Sequence, residues 1–345
     1  MSGNAIWPSS LSVVLGLVLA TSGLAEDPAL PSHSPKPSVA RVLRWFPPDT
    51  EAFAVANGPL ELKRSLHDIE GDQKSKEPLH LPELGTIFAC SRLSLLQDGN
   101  LFKSFQGLKV DAVVDGRRRF QVDEDSGTGH CDGCQILLVA EEEAPKVDRV
   151  LQAWIAAGRS TIRVEAQTAV LVEEKEDDQL FRALFASPAP GVLLCASTPG
   201  FLREVLARMR DETMPSAFPA DRPEWKVVNC QAPFWGVRRF VPDGRTTDAS
   251  SPFHKRAAVA DPKAIGIAFW CGAGDPNQME FIYLSQSRNA ATLLSTESFD
   301  KDEFRIDRIA ADTFRIQKIE KPNDDDERLN TLVEILMVSG FLRAI

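Results

Sequence analysis

The sequence predicts an α+β fold: two related units, each with a mainly antiparallel sheet covered by helices. Three observations predict it. Short runs rich in Val, Ile and Leu follow one another through brief turns, which suits antiparallel pairing better than parallel crossovers. Between them lie longer stretches whose apolar residues recur at helical spacing. A segment near the start of the body also reappears in the second half of the chain.

The 345 residues open without charge, because no Asp, Glu, Lys or Arg precedes Glu26. Leu11–Leu24 is apolar or small throughout. A helix over that stretch is about 21 Å long, short of the bilayer core of about 30 Å. Residues 1–25 therefore read as a removable export signal, and no transmembrane anchor is expected in the mature chain. Ser22-Gly23-Leu24-Ala25 offers small residues where a signal peptidase reads them, so the cut is placed after Ala25, with Ser22 as the alternative. No Cys lies near the cut, so no lipid is expected there. Residues 26–39 carry Pro28, Pro31, Pro35 and Pro37 and read as a Pro/Ser-rich, solvated spacer.

The first unit is assigned to residues 40–215. Val110–Val114 and Gln135–Ala140 read as strands. A helix is expected over Ala144–Ala157, with Pro145 in its first turn, Gly158 just beyond it, and one stripe of Val147, Val150, Leu151, Trp154 and Ile155. Thr161–Glu165 and Ala169–Val172 read as a strand pair. A helix over Asp177–Phe185, the strand Gly191–Ala196 and a helix over Pro199–Arg210 complete the unit. The second unit is assigned to residues 216–345, with strands Ala264–Cys271 and Met279–Leu284 and a helical stretch Ser287–Leu294. The strand pair Phe304–Ile309 and Thr313–Ile319 follows. A last helix opens with Asp324-Asp325-Asp326-Glu327 and carries Leu329, Leu332, Val333, Leu336 and Val338.

The order strand, strand, helix, strand, strand, helix is thus expected in both units. Phe46–Asn57 aligns without gaps to Phe218–Asn229, sharing Phe, Pro, Asp, Val and Asn, with Phe53 opposite Trp225. The alignment predicts an internal repeat in which Val55 and Val227 both lie in strands and face a core. A repeat opening Phe-Pro-x-Asp before an apolar strand resembles a loose class of exported bacterial proteins with a signal peptide and one or two α+β units. The segments Gln135–Leu151 and Val192–Met209 are similar to that class as well. The class has no assigned activity, so the resemblance implies export and fold but no functional residue.

Composition bounds the partners. A hydrophobic content of 43% with mixed charges is that of a packed protein. The formal charge of −10 argues against nucleic acid, whose binders present a basic face. It also disfavours anionic lipid, and an envelope or extracellular partner is the expectation. Among six cysteines, Cys195 and Cys271 sit inside apolar runs and read as buried small hydrophobes, so at most a bridge or two is expected.

The sharpest motif is His130-Cys131-Asp132-Gly133-Cys134. Thiol exchange at such a pair needs a lowered thiol pKa, usually from a helix start, but Cys134 runs straight into the apolar stretch QILLVA. Haem attachment needs a His after the second Cys, and zinc needs a second ligand pair. The motif therefore reads as a hairpin loop closed by a local disulfide, or as two thiols, with a thiol redox protein using Cys131 and Cys134 as an alternative. His33, His67, His80, His130 and His254 suggest no nucleophile–base pair. A hydrolase-like site between the units would draw on His254 with Ser250, Ser251 and Lys255. The acidic runs fit helix starts better than calcium loops, and Trp154, Trp225, Trp235 and Trp270 fit core packing. The expectation is an exported, non-catalytic binding or structural module, with no catalytic residue, cofactor or metal ligand assigned.

Overall fold

Strand pairing joins the two halves of the chain into one surface. The structure, a computed structural model, describes residues 34–62, 104–122, 129–176, 179–218, 221–240, 263–271, 279–287, 290 and 304–318. The first half holds helix α1 (Pro37–Leu43) and strands β1 (Ala52–Glu61), β2 (Lys109–Val122) and β3 (Gly129–Val139). Helix α2 (Ala144–Ala156) and strands β4 (Thr161–Val164), β5 (Gln167–Glu176), β6 (Gln179–Ala189) and β7 (Val192–Ala196) follow, then α3 (Pro199–Arg210). After α4 (Pro223–Val227) come β8 (Phe234–Arg239), β9 (Ala264–Cys271), β10 (Met279–Ser285), β11 (Phe304–Ala310) and β12 (Thr313–Lys318).

These strands form one 12-stranded sheet in the order β11-β12-β10-β9-β8-β1-β2-β3-β7-β6-β5-β4, and every adjacent pair is antiparallel. The expected α+β pair of helix-covered sheets is therefore corrected: the protein is mostly one antiparallel sheet with few helices. The reason lies at the centre, where β1 pairs with β8 from Ala52↔Arg238 to Ala56↔Phe234. Two sheets whose first strands pair in this way become one.

Most strands bury both faces, so their sequences read as continuous apolar runs rather than alternating ones. Ala52, Ala54 and Ala56 of β1 belong to the core on one face, with Val147, Leu151 and Trp154 of α2 and Phe105. Phe53 and Val55 belong to the core on the other face, with residues of α1 and α3 and the half-buried Trp225 and Val227 of α4. The same double burial explains a second correction: Asp177–Phe185, read as a helix, lies largely in β6. There Ala183 and Phe185 enter the first core while Leu184 and Ala186 enter the second. A run apolar on both faces has no period to separate strand from helix.

The repeat expectation is corrected at the level of residues. Val55 lies in β1, but Val227 ends the short helix α4. Pro223 opens that helix, at a position where its missing amide leaves no bond unmade. The matched segments do meet in space. The Phe53 and Trp225 rings lie 5.5 Å apart, and the Asn57 side chain donates to the carbonyl oxygens of Cys230 (3.0 Å) and Ala232 (2.7 Å). Pro37 opens α1, and Val39 is fully buried, so the end of the expected spacer already belongs to the body.

Close approach at the centre requires glycine. A Cβ on Gly116 would stand 2.4 Å from the Phe46 ring, and one on Gly236 would stand 2.4 Å from Phe269 and 2.6 Å from the Phe53 carbonyl oxygen. Among the described residues, no helix is long and apolar enough to cross a membrane.

Candidate functional site

The described polar residues that gather from several elements centre on β2, whose run Arg117-Arg118 places one guanidinium on each face of the sheet. Arg118 is 3% exposed. Its Nη1 donates to both carboxylate oxygens of Asp49, at 2.8 and 2.9 Å, and to Glu204 at 3.1 Å. Its Nη2 donates to the other Glu204 oxygen at 2.5 Å, and its Nε stands 3.6 Å from Asp132. The guanidinium also lies over the Phe201 ring, 4.6 Å from its centroid.

Each partner arrives on a different element. Asp49 sits in the turn between α1 and β1, Asp132 faces Arg118 in the β2–β3 register, and Glu204 rides on the second turn of α3. That helix is fixed by its cap. Thr198 accepts from the Phe201 amide, and its hydroxyl donates to Asp132 at 3.3 Å. Pro199 follows at the first position, and Arg208 and Arg210 favour the negative C-terminal end. Arg208 donates to the Glu204 carbonyl (2.9 Å) and the Pro215 carbonyl (2.8 Å).

Burial alone pulls the Arg118 guanidinium down, but the hydrogen bonds and charges of Glu204 and Asp49 outweigh it and leave its pKa above the ordinary value. Arg208 goes the other way. Burial lowers it, and the nearby carboxylates offset this only in part. Chemically, the cluster is an anchored guanidinium surrounded by carboxylates. Arginine stays charged and does not exchange protons at any working pH, so Arg118 acts here as a fixed positive charge that ties the segments bearing Asp49, Asp132 and Glu204 together.

On the opposite face, Arg117 and Arg238 are the two cross-strand partners of Ala52. Arg117 donates to Asp115 at 2.5 Å, with both side chains almost wholly buried, and Gln135 lies across from Asp115. A third polar group is Glu224 on α4, 2% exposed and acted on by the charges of Arg222 and Arg239.

The structure relocates the sharpest sequence motif. His130, Cys131 and Cys134 lie within β3 rather than in a hairpin loop. Residues three apart on a strand have Cα atoms about 10 Å apart, beyond the roughly 7 Å that a disulfide spans, so the local bridge is ruled out by geometry. Cys134 is a fully buried thiol between Gly116 of β2 and Ala196 of β7. Two residues of β2 also oppose one of β3 here, a bulge that places Cys131 between the pairs Arg118↔Asp132 and Gln121↔His130. Cys195, Cys230 and Cys271 are buried thiols as well, and burial pushes Cys230 and Cys271 up to about 12.

His33, Cys90, His67, His80, and the loop candidates Ser250, Ser251, His254 and Lys255 lie outside the described residues, as do the expected export signal, most of the expected helical stretch 287–294 and the expected acidic C-terminal helix. Trp154 is a core residue on one face of the sheet and Trp235 and Trp270 are core residues on the other, where Trp225 packs partly buried. The Arg118 cluster escaped the sequence reading. Its signal was present: three consecutive arginines, Arg117-Arg118-Arg119, inside an apolar strand, where buried charge demands paired partners.

Comparison with known proteins adds little. No protein-family model matches the chain, and no curated protein matches it. Among solved structures, crystal form I of TP0453 is similar at 10% identity and a TM-score of 0.44, over 88% of this chain and 99% of that one. At that score the likeness supports no conclusion about this chain.

Proposed function

We propose that this chain is an exported, non-catalytic binding or structural module that works in the envelope or outside the cell. The observation that carries the non-catalytic reading is the closure of the Arg118 cluster. Its guanidinium is engaged by protein carboxylates from three elements, the arrangement of a structural clasp and not of a poised reactant. The strong burial of Cys134 favours this reading over thiol exchange at Cys131 and Cys134, because the nucleophile must be an accessible thiolate.

Export rests on the short apolar run Leu11–Leu24 ending in small residues. The shared outward strand order of the halves supports an internal duplication. From the centre each runs first, second and third strand, then a returning pair, with β4 and β5 additional in the first half.

The test is fractionation of producing cells followed by N-terminal sequencing and assay. The proposal expects a chain beginning at Glu26 outside the cytoplasm, with no turnover of ester, peptide or disulfide substrates. An intact chain from Met1 in the cytoplasm overturns export. Turnover abolished by Cys131→Ser, or by His254→Ala, overturns the non-catalytic reading.

A further inference from the structure

We propose that Glu224 makes the seat of α4 on the sheet proton-sensitive: with its carboxyl neutral the helix stays closed over the central strands, and with it ionised the helix loosens. Glu224 is 2% exposed, and its Oε2 has no hydrogen-bond partner. The neighbouring Trp225 closes an aromatic cluster over the β1–β8 joint, with ring centroids 5.5 Å from Phe53, 5.2 Å from Phe218 and 6.0 Å from Trp235. A carboxylate buried beside such a cluster loses its hydration and gains only its own backbone amide in return, and ionisation is then disfavoured.

The surrounding charges do not make up the loss. Arg222 donates to the carbonyl oxygens of Pro48 (2.9 Å) and Thr50 (3.5 Å). Arg239 of β8 is exposed, and Lys226 stands 3.3 Å from Asp221. In the turn before β1, Asp49 is held by Arg118. β9, which α4 packs against, carries no Asp, Glu, Lys, Arg or His, and its Cys271 belongs to the other face. β10 carries Glu280, 3.4 Å from Arg315 of β12. Among the described residues none forms an ion pair with Glu224. Burial accordingly raises its pKa. Its own backbone amide, Arg222 and Arg239 pull the other way without reversing the shift.

The sign follows. A carboxyl whose folded pKa exceeds its unfolded value of about 4.3 stabilises the closed state fully below that value. The contribution is lost as pH rises through the raised folded pKa. Acid closes α4, and alkali opens it.

Native-state hydrogen exchange of the full chain, corrected for intrinsic rates and followed from about pH 4 to about pH 8, so that it starts below the unfolded value of about 4.3, reads this at the amides of residues 225–228. In the wild type, protection there falls with rising pH, by a factor on the order of 10 for each unit by which burial lifts the pKa. In Glu224→Gln it stays high and flat. Equal pH profiles in the two proteins overturn the proposal. Arg222→Gln keeps the acid while removing a cation that favours its ionised form, so the fall in protection moves to higher pH. An unmoved or lowered midpoint overturns the proposal even where Glu224→Gln folds poorly.

Discussion

Replacing Arg118 by methionine tests the clasp at its centre. The substitution keeps most of the stem volume and removes the charge, leaving Asp49, Asp132 and Glu204 without their shared cation. Breaking a fully buried pair costs about 3–5 kcal/mol, whereas an exposed pair is worth about 0–1 kcal/mol. Arg118 is 3% exposed, but Asp49, Glu204 and Asp132 are 52%, 37% and 20% exposed. The acids regain much of their hydration when released, so the loss falls between the limits, at about 2–4 kcal/mol, with the stack on Phe201 contributing about 0.5–1 kcal/mol of it. Urea unfolding measures this as a lowered midpoint at unchanged slope. A cycle with Glu204→Gln should return a coupling of about 1–3 kcal/mol, while Arg41→Met, which loses the exposed pair with Glu212 and the contact of its guanidinium with the Trp45 ring, changes stability by less than about 1 kcal/mol. An Arg118→Met protein within about 0.5 kcal/mol of wild type would refute the clasp.

Other positions are equally open to test. Gly116→Ala forces a methyl into the Phe46 ring and should cost about 1–3 kcal/mol or more in the same unfolding assay. Gly236→Ala should cost at least as much, because one of its obstructions is the Phe53 backbone. Cys134→Ser buries a hydroxyl in place of a thiol and should lose about 1–3 kcal/mol, while the double Cys131→Ser, Cys134→Ser protein shows the same absent insulin reduction as wild type. Mass mapping after iodoacetamide treatment at pH about 8 should leave Cys134, Cys195, Cys230 and Cys271 unmodified in the native protein and modify all of them in denaturant, since burial denies access to all four and also suppresses the thiolate at Cys230 and Cys271.

Much of the local structure was legible in the sequence. The strand Ala264–Cys271 and the helix Pro199–Arg210 coincide with β9 and α3, because bounded apolar runs and a Thr-Pro start are local signals. Asp177–Phe185 failed because β6 is buried on both faces and shows no period. Val227 failed because Pro223 set a helical turn that the short match could not reveal. The merging of the two sheets depends on which strand edges meet, and β1 and β8 are separated by most of the first half of the chain, so no local pattern encodes it. The Arg118 clasp was hidden for the same reason. Asp49, Arg118, Asp132 and Glu204 are ordinary charges in the sequence and become a cluster only once α3 is laid over β2 and β3.

The β1–β8 joint is tested most directly by producing residues 34–215 and 216–345 as separate chains, the first keeping all of α1, and measuring the near-ultraviolet circular dichroism and urea unfolding of each, alone and mixed. One continuous sheet predicts that neither half alone reaches the tertiary signal or the cooperative transition of the full chain, since each exposes a central strand with both its cores cut through, and that mixing restores both. Two halves that each unfold cooperatively on their own, with the stability of the intact protein, would contradict it.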